Sequence, residues 1–278
     1  MRNALSIDVE EYFQVGAFEN ILDRAGWDQH ESRVEQATGL ILDLLAERGV
    51  HATFFILGCI AARHRALVAR IAAAGHEVAS HGWDHARVFT LTPEAFREDL
   101  RRARGTIEDA AGAAVTGYRA PSFSIDRRTP WAHPILAEEG YAYSSSVSPI
   151  AHDHYGWREA PRFAWRPVEG SPLVELPVTT VELGGRRFAA AGGGFFRLYP
   201  YALSRWAVER LNRTDHRPAV VYLHPWEVDP DQPRIAGASF KSRLRHYSRL
   251  RAMEAKLAKL VDDFAWDRVD AIVAAEAV

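Results

Sequence analysis

A chain of 278 residues, 47% of them hydrophobic and 25% charged, can bury one large core of an ordinary globular protein. Its net charge of −2 and isoelectric point near 6.6 leave no electrostatic footprint for nucleic acid. Cys59 is the only cysteine, which excludes an intrachain disulfide and a thiolate metal cluster; its apolar surroundings read as a small buried hydrophobe.

Taken in order, residues 4–9 alternate and are β-prone, a first strand that runs into the acidic turn Asp8-Val9-Glu10-Glu11. Asp8 interrupts this segment before a secretory apolar region forms, and no apolar run is long enough to span a bilayer. The expected location is therefore cytoplasmic, free or peripheral to a membrane. Residues 33–48 carry Val34, Ala37, Ile41, Leu44 and Leu45 on one helical stripe and stop at Gly49. A buried strand is expected over 52–57 and a helix over 61–74, with Gly75 as its stop. Residues 77–80 form a third strand.

Thr92-Pro93 opens a helix ended by Gly112, with Phe96, Leu100, Ala103 and Ile107 on its core face. Strands at 114–119 and 141–145 flank a helix from Thr129-Pro130 to Glu139. Regular pattern is lost over 146–166, which reads as a long functional surface loop. A short strand follows at 173–176, then an irregular stretch from Ala191 to Arg197. A helix is expected over 201–211, a buried strand over 219–223 and an amphipathic helix over 248–264. Strand–helix alternation implies βαβ units, an α/β fold with about seven parallel strands forming a complete or incomplete barrel. No dinucleotide-binding or P-loop motif follows any strand. There is no internal repeat or low-complexity tract.

The polar residues gain meaning on this scheme. Asp8 and Glu10 close the first strand. His81 and His85 follow the third, Arg119 ends the fourth, and His224 ends the last. Each has an ordinary structural reading taken singly, but parallel barrels gather such strand ends on one face. Two imidazoles four residues apart and a carboxylate suit Zn²⁺ or a similar ion with an open position. A second carboxylate can then act as base, a separate histidine can protonate a leaving amine, and Arg119 is placed to orient the base and keep it ionised.

Asp8-Val9-Glu10, the pair His81/His85, Arg119-Ala120-Pro121 and Leu223-His224 resemble successive motifs of the polysaccharide deacetylases, the NodB-homology proteins of carbohydrate esterase family 4. More narrowly, Asp8-Val9-Glu10-Glu11-Tyr12-Phe13-Gln14-Val15, Gly192-Gly193-Gly194-Phe195-Phe196-Arg197 and Tyr222-Leu223-His224-Pro225-Trp226-Glu227 are similar to the subgroup associated with exosortase (PEP-CTERM) exopolysaccharide loci. The resemblance implies a distorted (β/α) barrel in a single domain over 1–278, with a subgroup-specific part from about 225. It also implies removal of N-acetyl groups from an N-acetylated polysaccharide or lipid-linked oligosaccharide, with a divalent cofactor, foremost Zn²⁺.

Carried over by position, Asp8 is the general base, Glu10, His81 and His85 hold the metal, Arg119 orients the base and His224 is the general acid. The backbone N–H of Ser122 stabilises the oxyanion. The chain departs from the common family pattern in having Asp8-Val9-Glu10 where two adjacent aspartates are usual, and in having Ser122 where an aromatic is usual. Period-two alternation favours Glu10 over Glu11 as the acidic ligand, because Glu10 shares a face with Asp8. Among Trp83, Trp131, Trp157, Trp165 and Trp226, Trp226 and Trp83 are the expected sugar contacts. The basic segment Lys241, Arg243, Arg245, His246, Arg249 and Arg251 reads as a solvated face, or as a grip on an acidic glycan or lipid-linked phosphate. Two rivals remain at this stage: a non-glycan amide hydrolase on the same fold, metal-independent in some relatives, and a catalytically inactive glycan-binding protein.

Overall fold

A computed structural model describes residues 1–151, 156–190 and 192–276. Ala191 and part of the loop expected at 146–166 therefore lie outside the described residues.

Strand β1 (Arg2–Val9) sets up the molecule. Its side chains alternate between two environments. Leu5, Ile7 and Val9 join the main apolar cluster shared with the helices. Ala4, on the opposite parity, packs inside the curve of the sheet with Phe55, Ala79, Tyr143 and Val174. That parity is also the one carried by Ser6 and Asp8, so the inner face of β1 turns polar toward its C-terminal end.

The chain then alternates much as its sequence pattern implies: α1 (Val34–Glu47), β2 (Thr53–Ile56), α2 (Gly58–Arg63), α3 (Arg65–Ala73), β3 (Glu77–Ser80), α4 (Pro93–Ala111), β4 (Gly117–Tyr118), α5 (Ala132–Glu138) and β5 (Tyr143–Ser144). Helix α4 has the expected ends: the Thr92 side chain accepts from the Ala95 N–H at 3.2 Å, and Gly112 closes it at φ +65°. After β6 (Val174–Glu175) come an antiparallel hairpin, β7 (Thr180–Leu183) and β8 (Arg186–Ala189), then α6 (Gly193–Leu198), α7 (Tyr201–Arg210), β9 (Val220–Leu223), α8 (Phe240–Tyr247), α9 (Met253–Asp263), β10 (Ala265–Asp267) and α10 (Val269–Ala275).

Ser6 and Ile7 pair on one edge with Thr53 and Phe54 of β2 and on the other with Tyr222 and Leu223 of β9. The curved wall therefore runs β9-β1-β2-β3-β4-β5-β6, seven parallel strands, while β10 pairs with the N-terminal end of β1. Among the described residues, no strand closes the gap from β6 back to β9. Residues between them stitch it: the Thr179 N–H donates to the Val220 carbonyl (3.3 Å), the Val220 N–H donates to Thr179 Oγ1 (2.7 Å), and Gly192 bridges to Tyr222. The barrel is consequently incomplete. At its lower end α10 acts as a plug, with the Asp270 N–H donating to Glu77 Oε2 at 3.1 Å and the Val269 N–H to Thr53 Oγ1 at 2.7 Å.

Four expectations change. The helix expected at 61–74 is two helices, broken at His64 where ψ is 48°. The stretch expected to be irregular before Arg197 contains α6, because local propensity penalises the glycines that tertiary packing requires. A Cβ on Gly192 would lie 2.1 Å from Tyr222 Cδ1. The last amphipathic helix starts at Met253 rather than 248, preceded by α8. The hairpin β7–β8, strand β10 and helix α10 have no counterpart in the sequence reading; all are short, and the partners of β10 and α10 are distant in sequence.

Candidate active site

The strand ends meet in a cleft of about 370 Å³ lined by Asp8, Glu10, His81, His85, Ser122 and His224, among others. Behind Asp8 sits Arg119, wholly buried. Arg119 Nη1 donates to Asp8 Oδ1 and to Ser6 Oγ, both at 2.7 Å, Nη2 donates to Ser145 Oγ at 2.9 Å, and Nε donates to the Ser145 carbonyl at 3.1 Å. The guanidinium also lies 4.1 Å from the Phe55 ring centroid. Asp8 is thus fixed by an ion pair from beneath, with its inward parity supplied by β1.

The expected His pair lies on a tight loop after β3. His81 Nδ1 faces the Arg119 carbonyl at 2.8 Å, which assigns the proton to Nδ1 and leaves the Nε2 lone pair available as a ligand. Burial lowers the His81 pKa to about 4, so the ring is neutral. His85 adopts φ +61°, and its Nε2 lies 2.9 Å from Glu10 Oε2. One ligand atom from each of Glu10, His81 and His85 falls within 4.8 Å of the others. Among the described residues, Glu10 Oε2 is buried and is approached only by His85 Nε2. A neutral imidazole, a second histidine and a buried carboxylate oxygen fit a divalent cation such as Zn²⁺. Glu10, not Glu11, is in this group. The Glu11 carboxylate instead accepts from Ser32 Oγ and from the backbone N–H groups of Arg33 (3.0 Å) and Val34 (3.4 Å), capping α1.

On the far side, His224 Nδ1 meets Glu227 Oε2 at 3.1 Å, while Nε2 lies 3.7 Å from Glu10 Oε1. Burial opposes charge on His224, but Glu10 and Glu227 outweigh it and raise its pKa to about 9. Burial likewise opposes ionisation of Glu227, and His224 and Arg197 bring it to about 2. Arg197 Nε donates to Glu227 Oε1 at 2.9 Å. Trp226 stacks between His224 (5.1 Å) and His246 (4.2 Å), and its Nε1 donates to Glu10 Oε1 at 3.1 Å. It lines the cleft as expected of a sugar contact, and it also positions Glu10.

Ser122 and Phe123 follow Arg119-Ala120-Pro121 at φ +55° and +50°. With His85, three of the five non-glycine residues at positive φ among the described residues line this cleft, the kind of strain that accumulates at functional sites. Trp83 is a correction. The Arg102 guanidinium sits 3.5 Å over its ring, and its Cε3 would be 2.5 Å from a Cβ on Gly58, so it packs between α2 and α4 and does not line the cleft. Cys59 packs against the core, where burial pushes its thiol up to about 12.

The pairing of Glu227 with Arg197 had no signal in the sequence: the two lie 30 residues apart with no shared periodicity. Glu175 was also missed. Its Oε1 accepts the N–H groups of Ser146 (2.7 Å) and Val147 (2.8 Å), fixing the turn that carries the Arg119 partner Ser145.

Residues 26–143 match the family model for polysaccharide deacetylase, and residues 145–274 match a domain of unknown function (DUF3473). The chain is 42% identical over 73 residues to a chitooligosaccharide deacetylase of Rhizobium leguminosarum bv. trifolii, covering 26% of this chain and 34% of that protein. It is 29% identical over 130 residues to an uncharacterized 30.6 kDa protein of Geobacillus stearothermophilus, 44% of this chain and 47% of that protein. The chain thus spans less than half the length of these relatives. A crystal structure from Mycobacterium smegmatis, assigned to the polysaccharide deacetylases, superposes with a TM-score of 0.63 at 24% identity, covering 98% of this chain and 88% of that one, which establishes the fold.

Proposed function

We propose that this chain is a metal-dependent hydrolase that removes N-acetyl groups from amino sugars of an exopolysaccharide or its lipid-linked precursor, a reading supported by the match of residues 26–143 to the polysaccharide deacetylase family model. The observation that carries the reading is the convergence of Glu10, His81 and His85 with the Asp8–Arg119 pair and His224 in one cleft. The exopolysaccharide part rests on the likeness of the Asp8–Val15, Gly192–Arg197 and Tyr222–Glu227 motifs to the exosortase-associated subgroup.

Glu10, His81 and His85 would hold the ion. When bound, it would polarise the acetamide carbonyl and make water a better nucleophile. Asp8, held by Arg119, takes the proton of the attacking water as the carbonyl carbon becomes tetrahedral. The Ser122 N–H donates to the developing oxyanion. His224, oriented by Glu227, protonates the amine nitrogen as the C–N bond breaks, leaving acetate and a free amino sugar. Trp226 offers an aromatic edge to the sugar.

The test is metal content together with acetate release from N-acetylglucosamine oligomers. The wild type should hold about one equivalent of Zn²⁺ or a similar ion. His81→Ala should lose metal and activity, and Asp8→Asn should keep metal and lose turnover. Full activity in metal-free Asp8→Asn protein would sink the proposal.

A further inference from the structure

Helix α8 supplies one wall of the cleft through Lys241, Ser242 and Arg245, facing the residues that carry the chemistry. Lys241 and Arg245 are four residues apart, one helical turn, and neither carries an ion pair among the described residues. Two like charges at this spacing work against the helix. The surrounding sequence is equally one-sided. Between Asp231 and Glu254 there is no acidic residue but six basic ones, Arg234, Lys241, Arg243, Arg245, Arg249 and Arg251, in a chain whose net charge is −2. Arg87, which also lines the cleft, is already paired with Glu19 at 2.8 Å, so Lys241 and Arg245 are unmatched charges there.

This wall is held in place from the catalytic side. The Arg197 guanidinium donates to the carbonyls of Arg245 (2.9 Å), His246 (2.9 Å) and Ser248 (2.8 Å) at the end of α8, while its Nε grips Glu227. One buried arginine therefore ties the basic wall to the carboxylate that orients His224. Side chains kept at a fixed distance from a reaction centre can read a second group on the same substrate.

We propose that Lys241 and Arg245 form an anion subsite, so that the substrate is an N-acetylated glycan bearing a carboxylate or phosphate beside the sugar to be deacetylated. The inference rests on the deacetylase reading for what occupies the rest of the cleft. Carboxylate and phosphate share the chemistry that lysine and arginine recognise, and the probes below separate them.

The experiment is calorimetric titration of metal-loaded wild type and of K241Q/R245Q, with K241R/R245K as the charge-preserving control. The carboxylate probe is a hexasaccharide alternating glucuronate with N-acetylglucosamine, compared with the neutral N-acetylglucosamine hexamer. The phosphate probe is N-acetylglucosamine 1-phosphate, compared with N-acetylglucosamine. The wild type and K241R/R245K should bind at least one anionic probe about three- to tenfold more tightly than its neutral counterpart. K241Q/R245Q should lose that preference, as should the wild type in high salt, with neutral binding unchanged. The responsive probe identifies the anion. Equal binding of charged and neutral probes by the wild type, or an undiminished preference in K241Q/R245Q, would overturn the subsite. A variant-sensitive preference with no acetate released from any probe would uphold the subsite and count against the deacetylase reading.

Discussion

The buried pair beneath the cleft makes a quantitative prediction. Arg119 is fully buried and makes four hydrogen bonds, to Ser6, Asp8 and twice to Ser145. Arg119→Met fills comparable space without charge or donors, leaving the Asp8 carboxylate buried without its cation and Ser145 without its donor. Removing one partner of a buried ion pair costs about 3–5 kcal/mol. Asp8→Asn is milder because the amide oxygen still accepts from Nη1, and its cost should be about 1–2 kcal/mol. In the double variant the unpaired charge is gone, so the combined loss should fall short of the sum by at least about 1 kcal/mol. Urea unfolding of the four proteins in chelator, at one pH, measures this without metal linkage. Single costs that add to within about 0.5 kcal/mol would refute the coupling, and with it Arg119 as the group that holds the proposed base.

Three further expectations follow from named contacts. Glu227→Gln removes the charge that orients His224, so kcat should fall by about 10- to 100-fold with little change in KM; an unaltered kcat would remove Glu227 from the mechanism. Burial and then Asp270 raise the Glu77 pKa from 4.5 to about 7, so its protonated form favours the fold. That contribution is fully present below pH 4.5 and is lost as the pH rises through 7. Urea midpoints from pH 5 to 8 should fall in the wild type and flatten in Glu77→Gln, and parallel profiles would contradict this. Gly192→Ala places a methyl 2.1 Å from Tyr222 and should cost about 1–3 kcal/mol, whereas Gly194→Ala, with nothing within 4 Å, should stay within about 0.5 kcal/mol. Equal thermal shifts in the two variants would show that the close approach is not limiting.

Much of the site is written in local pattern. Alternation along β1 is enough to put Asp8 on the inner face, opposite Leu5 and Ile7. A strand followed by two histidines, an arginine after the next strand and a histidine after the last predict one face of a parallel sheet, because strand direction is set by the connections. What the sequence left open depends on contacts across long separations. Glu10 and Glu11 are adjacent and chemically alike; only the packing of α1 decides that Glu11 caps a helix while Glu10 faces His85. Trp83 and Trp226 are equally plausible sugar platforms as residues, and the cleft receives only Trp226 because Arg102 and α2 enclose Trp83. The glycines before Arg197 argue against a helix until Tyr222 is seen against them. Side-chain period and turn chemistry act over a few residues, so the sequence by itself determines the strands and helices that carry the site and which face of each is polar. Which charges meet, and which glycine must stay bare, is decided when the sheet curves and its open edge is stitched to β9, bringing together groups as far apart as Asp8 and His224.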